Sequence, residues 1–262
     1  MAVDIRSANS AGDVWVFQVG RPGGTRLTSE GGRDFGSTWT PDGRELIYSS
    51  EHPFYDLYRR AADASRAPEP LATGGFDRYT GGVSADGKLL SFMLSAPTAG
   101  SELWTVPLQG HAKATRYISN GFNLAHPAIS PDGRWMAYDS DEAGRVEVYV
   151  QSFPDPKLER HKISPSYGSE PLWTRGGREL VYRQGDSVMA VSLDLAARQI
   201  GQPAVLFAGP YPDNPGWTRP RSYDVSADGE RFLMTKRPTN GSRPRVAVVL
   251  NWFDELRARV GR

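Results

Sequence analysis

The chain has 262 residues, 39% hydrophobic and 23% charged, which suits one large all-β domain or two small ones and excludes a disordered chain. Its 31 basic and 30 acidic side chains leave a formal charge of +1 with no basic tail, which argues against nucleic acid as a partner. Disulfides and thiolate metal sites are excluded because there is no cysteine, and no apolar run reaches the roughly 20 residues that span a bilayer.

The N-terminal stretch MAVDIRSANSAGD has no basic segment followed by an apolar one. The chain is therefore expected to be soluble and to carry no signal peptide. Alternating apolar residues predict strands over AVDIRSA, over 12–19 (GDVWVFQV) and over 25–29 (TRLTS). A recurring unit opens at Trp39 with WTPDGRELIYSS and continues as a strand at 55–61 (YDLYRRA). It returns as VSADGKLLSFML from Val83, with strands at 101–107 (SELWTVP) and 114–119 (ATRYIS). A third copy, ISPDGRWMAYDS from Ile129, is followed by VEVYVQS at 146–152. The fourth, WTRGGRELVYRQ from Trp173, precedes SVMAVSL at 187–193 and PAVLFA at 203–208. The last, VSADGERFLMTK from Val225, leads to RVAVVLN at 245–251 and then WFDELRARV, amphipathic at helical spacing.

The turn glycines of the five units are Gly43, Gly87, Gly133, Gly177 and Gly229, spaced 44, 46, 44 and 52 residues apart. That period fits a four-stranded propeller blade of roughly 40–45 residues. In Ser130-Pro131-Asp132-Gly133, each residue suits its place in a type I turn, with glycine where a left-handed backbone follows. Asp42, Asp86, Asp132 and Asp228 each lie in their own turn and are expected to shape it, since they are too far apart to share an ion. Six third strands against five first strands predict an all-β, six-bladed β-propeller in one domain, residues 1–262. Its first blade lacks the innermost strand, its last lacks the outermost, and a short C-terminal helix follows.

The units SPDGRWMAYDSDEAGRVEVYV and TPDGRELIYSS resemble the PD40 repeats of TolB-like propellers. PRVAVVLNWFDELRARV is similar to the C-terminal tail of bacterial PD40-containing serine/threonine protein kinases. That resemblance implies an extracytoplasmic interaction or sensing module whose catalytic part lies upstream. The tripeptide Asp34-Phe35-Gly36 spells the magnesium-binding DFG of kinases, but the residues before it cannot hold the rest of a kinase lobe.

No Gly-x-Ser-x-Gly, His-Glu-x-x-His or phosphate-loop motif occurs. The repeat instead points to the channel lined by first strands. Gly36, Thr80, His126, Glu170 and Ser222 occupy matching positions just before the buried residue of each, with Asp34, Arg78, Tyr79, Asn123, Ser169 and Arg221 slightly upstream. His126 and Glu170 are the candidate catalytic acid–base pair. Asp34, Asn123, His126 and Glu170 are the candidate ligands of a divalent cation such as calcium. Arg78, Tyr79, Arg221 and Trp217 are candidate ligand-binding residues. Trp217 sits in the insertion YPDNPGWTRPRS (211–222), expected to act as a lid or a connector, and SSEHPFYDLY (49–58) is a second rim loop of interest. The competing reading is that these polar residues only line a wet channel. His52, His111 and His161 fall in loops or outer strands, and Trp39 and Trp173 in the blade core.

The favoured expectation is a non-catalytic module without a cofactor, binding a protein, a peptide or a small molecule at the channel face. The alternative is a small-molecule hydrolase acting on lactones, esters or phosphotriesters. Open blade edges also make homodimerisation an expectation.

Overall fold

The structure is a computed structural model that describes residues 1–7, 10–29, 31–95, 100–110, 113–211, 218–226, 228–236 and 245–250. Six antiparallel sheets follow one another along the chain as six blades. Blade 1 is β1 (Ala2–Ser7), β2 (Ser10–Phe17) and β3 (Gly24–Arg26). Blade 2 is β4 (Asp34–Trp39), β5 (Glu45–Glu51), β6 (Tyr55–Ala61) and β7 (Glu69–Ala72). Blade 3 holds β8 (Asp77–Val83), β9 (Leu89–Ser95), β10 (Ser101–Pro107) and β11 (Thr115–Ile118). Blade 4 holds β12 (Leu124–Ile129), β13 (Trp135–Ser140), β14 (Glu147–Ser152) and β15 (Arg160–Lys162). Blade 5 consists of β16 (Ser169–Thr174), β17 (Glu179–Gln184) and β18 (Ser187–Asp194), flanked by a short β19 (Gln199–Ile200) and by β20 (Ala204–Ala208). Blade 6 is β21 (Tyr223–Val225), β22 (Arg231–Lys236) and β23 (Arg245–Leu250).

Blade 1 pairs β1 with β2 and β2 with β3, so among the described residues its innermost strand is absent. Blade 6 shows three strands, β21 to β23, among the described residues, and the positions after Leu250, where an outermost strand would fall, lie outside them. The expected C-terminal helix lies outside the described residues. The turn between first and second strands is built as its sequence dictates. Gly43, Gly87, Gly133 and Gly229 each donate their N–H to the carbonyl three residues back, with φ between +68° and +76°. Each turn aspartate accepts from the Ser or Thr hydroxyl two residues before it and from the N–H two residues after it. The hydroxyl bond comes first in holding the carboxyls of Asp42, Asp86 and Asp228 below their usual range. In blade 5, where Arg175-Gly176-Gly177 replaces Pro-Asp-Gly, the turn winds into a single 3-10 turn.

The core is a series of layers between neighbouring blades rather than one central mass. Phe35, Tyr79, Met93, Leu124, Met136 and Tyr138 form the layer that reaches from blade 2 into blade 4. Leu180, Tyr182 and Val191 meet Ala137, Val148 and Val150 across blades 4 and 5. Second strands are buried on both sides because each faces a blade, so their sequences read as near-continuous apolar runs. Trp173 adds a polar tie, its Nε1–H donating to the Ala128 carbonyl at 2.9 Å.

Candidate functional site

Each described inner strand of blades 2 to 5 carries a bulge at the same place. Pairing skips between Phe35 and Thr38, Thr80 and Val83, Ala125 and Ala128, and Ser169 and Leu172. In three of these bulges the first unpaired residue is left-handed: Gly36 at φ 65°, His126 at 51° and Glu170 at 58°. Glycine adopts this backbone freely, but for His126 and Glu170 it costs on the order of 1 kcal/mol each. In blade 3 the unpaired pair is Gly81-Gly82, where a Cβ on Gly81 would lie 2.5 Å from the Pro127 carbonyl oxygen of blade 4. Large side chains at His126 and Glu170 therefore mark places where strain is offset by specific bonds.

Those bonds run through a second-strand position shared by the blades. Asp4, Ser49 and Asp139 stand at corresponding places, each opposite a fully buried third-strand residue: Val14, Leu57 and Val148. Each accepts an N–H from the following blade at or just before its bulge: Gly36 to Asp4 at 2.7 Å, Thr80, the last paired residue before the bulge of blade 3, to Ser49 at 3.4 Å and Glu170 to Asp139 at 2.9 Å. The Asp4 carboxyl is pushed up to about 6, chiefly by burial, with the Gly36 N–H opposing.

At Asp139 the device is elaborated. The His126 Nδ1–H donates to Asp139 Oδ2 at 2.9 Å, and the His126 Nε2–H donates to the Arg219 carbonyl at 2.9 Å. With Asp139 ionised, both partners only accept, so the doubly protonated imidazolium is the form of the ring that makes both bonds. Burial alone pushes the imidazole down, but the Asp139 carboxylate and then Glu170 outweigh it and raise His126 above its ordinary range. The Glu170 carboxylate reaches into blade 6, accepting the Ser222 N–H at 2.5 Å and the Ser222 hydroxyl at 2.8 Å. Arg221 donates to the carbonyls of Gly81 at 3.0 Å, His126 at 2.5 Å and Pro127 at 3.0 Å. Thr218 bonds the Tyr79 side chain, and the Tyr79 hydroxyl's proton loss is pushed well upward by burial. The segment 218–222 thus lies across the inner strands of blades 3, 4 and 5 and closes that end of the channel.

His126 and Glu170 therefore come together, as their equivalent positions imply, around an Asp139 that the sequence reading did not single out. A signal for it exists: it is an acid, like Asp4 of blade 1, at a second-strand position that blades 2, 3 and 5 fill with Ser49, Met93 and Arg183. The remaining candidates lie elsewhere in the architecture. Arg78 is buried between blades, donating to Asp56 at 3.1 Å and to the carbonyls of Gly74 and Phe76. Tyr79 packs against Phe35 and Tyr55 at centroid distances of 5.8 and 5.7 Å. Asn123 faces away from the cluster, with its Nδ2 on Asp141 at 2.7 Å. Asp34 is buried at the start of β4. Trp217 and His111 lie outside the described residues. For a divalent cation the candidate donors do not converge: the His126 nitrogens face Asp139 and the Arg219 carbonyl, and Asn123 has its Nδ2 on Asp141.

A consequence for pH follows from the sign of the shift. With its folded value raised, the His126 imidazolium supports the fold fully below the unfolded value of about 6.5, and that support is lost as pH rises through the folded value. Asp139, Glu170 and Arg221 are the charged groups around it. The urea midpoint is expected to decline across that window in the wild type and to flatten there in His126→Gln. An equal decline in both would show that the imidazolium plays no part.

No family model matches the chain. Tricorn protease homolog 1 of Streptomyces coelicolor is 33% identical over 95 residues, 36% of this chain and 8% of that protein. Among solved structures, TolB from Acinetobacter baumannii superposes with a TM-score of 0.74 at 16% identity, over 95% of this chain and 60% of that one. An oligogalacturonate lyase in complex with manganese gives 0.63 at 16% identity, covering 93% and 69%. A puromycin-hydrolyzing peptidase of Mycobacterium tuberculosis gives 0.60 at 19%, covering 92% and 42%. The chain thus has a TolB-like propeller fold and spans about a twelfth of the curated relative it matches and 60% of the TolB chain.

Proposed function

We propose that this propeller is a non-catalytic binding or sensing module that meets a protein or peptide with the face at the closed end of its channel. One observation carries the reading. Phe54, Phe76 and Phe122 are 42%, 42% and 44% exposed. They sit in the β5–β6 loop and in the segments entering β8 and β12. In an up-and-down blade, those connections all emerge at the end where the inner strands begin, which is the end that 218–222 closes. Exposed aromatics grouped on one face of a rigid scaffold are the composition of a recognition surface. Candidate acid and base are meanwhile both engaged within the fold. The resemblance to kinase-linked PD40 propellers supports a place in a larger receptor-like protein, extracytoplasmic, and among the described residues no helix is long and apolar enough to cross a membrane.

The test has two arms. Activated esters, lactones and phosphotriesters are expected to turn over no faster with the protein than with His126→Ala or Glu170→Ala. A photo-crosslinker at position 76 is expected to capture one discrete partner in cells, with capture lost in Phe54→Ser/Phe122→Ser. Turnover abolished by either single variant, or capture unchanged by the double one, would overturn the proposal.

A further inference from the structure

A cavity lies on the flank of the molecule. It has a volume of about 450 Å³ and opens between the outer strands of blade 2 and blade 3. Its floor is apolar: Phe92 and Leu94 are buried, and Leu71 and Trp104 pack beside them. Trp104 stacks on Phe92 at 6.4 Å, and its indole N–H is turned to Glu102 Oε2 at 2.8 Å, so the aromatic wall is fixed in orientation.

The charges around the cavity do not balance. Arg59 is neutralised by Glu69, bonded at 3.0 and 2.9 Å, and its third contact goes to the Leu108 carbonyl at 2.8 Å. Arg78 is neutralised by Asp56. Lys113, exposed on the rim, has no ion pair among the described residues. A pocket whose apolar floor is set among polar walls, with one uncompensated cation at its edge, matches a small ligand with a flat apolar body and a single negative charge. The volume falls within the roughly 300–1,000 Å³ typical of small-molecule sites.

We propose that this inter-blade cavity binds small aromatic carboxylates of one or two rings, with the ring between Leu71 and Trp104 and the carboxylate on Lys113. The site is independent of the channel face, so its failure leaves the proposed function untouched.

Calorimetry with 2-naphthoate on the full chain tests it. Saturable one-to-one binding is expected. Loss of a charge-assisted contact in Lys113→Glu should weaken it about tenfold or more. Leu71→Arg, which fills the cavity, should abolish it, and neutral 2-naphthalenemethanol should bind more weakly than the carboxylate. Circular dichroism and melting temperatures are expected to match wild type in both variants. Should Leu71→Arg prove unstable, the Lys113→Glu comparison decides alone. No saturable binding by wild type, equal affinity in Lys113→Glu, or equal affinity for the neutral analogue would each overturn the proposal.

Discussion

Asp139→Ala is expected to lower unfolding free energy by about 3–5 kcal/mol, the cost of leaving a buried charge without its partner. Two groups lose their acceptor at once: the His126 imidazolium at 2.9 Å and the Glu170 N–H at 2.9 Å. Both sit on left-handed backbone, so the same change removes what offsets the strain at two bulges. Asp139→Asn is expected to lose less, because one amide oxygen still accepts from Glu170 while the charge is gone. Urea unfolding of the three proteins measures the order directly. A loss below about 1 kcal/mol for Asp139→Ala, the range of a surface ion pair, would mean that the network is not formed in solution.

Arg221→Ala should cost about 2–4 kcal/mol, because three buried carbonyls lose a charged donor together. The guanidinium joins Gly81 of blade 3 and His126 and Pro127 of blade 4 to the start of blade 6. Lysine at 221 is expected to recover only part of the loss, since a point charge cannot fork to three acceptors. The damage should also be local. The Ser222 N–H, held by Glu170 in the wild type, is expected to exchange with solvent much faster in Arg221→Ala, while amides in β13 and β14 keep their protection. Uniform loss of protection across all blades would contradict a local clamp.

The architecture was legible because the turn glycines set a period and apolar alternation set the strands. Tyr55–Ala61 and Ser101–Pro107 occupy the expected residues. The equivalence of His126 and Glu170 was legible from the same alignment. What joins them was not. Asp139 lies inside WMAYDS, where two-sided burial hides which face a residue takes. The left-handed backbone at His126 and Glu170 leaves no mark in residue type, whereas at Gly36 it does. The closure of the channel depends on a backbone carbonyl, that of Arg219, which residue identity cannot announce. Its partner His126 is 93 positions away. Arg221 read as an anion site because its three acceptors are likewise main-chain atoms, one of them 140 residues distant.

The clamp rests on one protonation state, and nitrogen-15 NMR of the His126 ring reads it directly. At neutral pH both ring nitrogens are expected to carry hydrogen, both N–H protons to exchange slowly, and the ring to lose its proton only above the value of free histidine. In Asp139→Asn that value should fall. A neutral ring with one bare nitrogen at neutral pH, or one that titrates at or below the free value, would contradict the channel closure described.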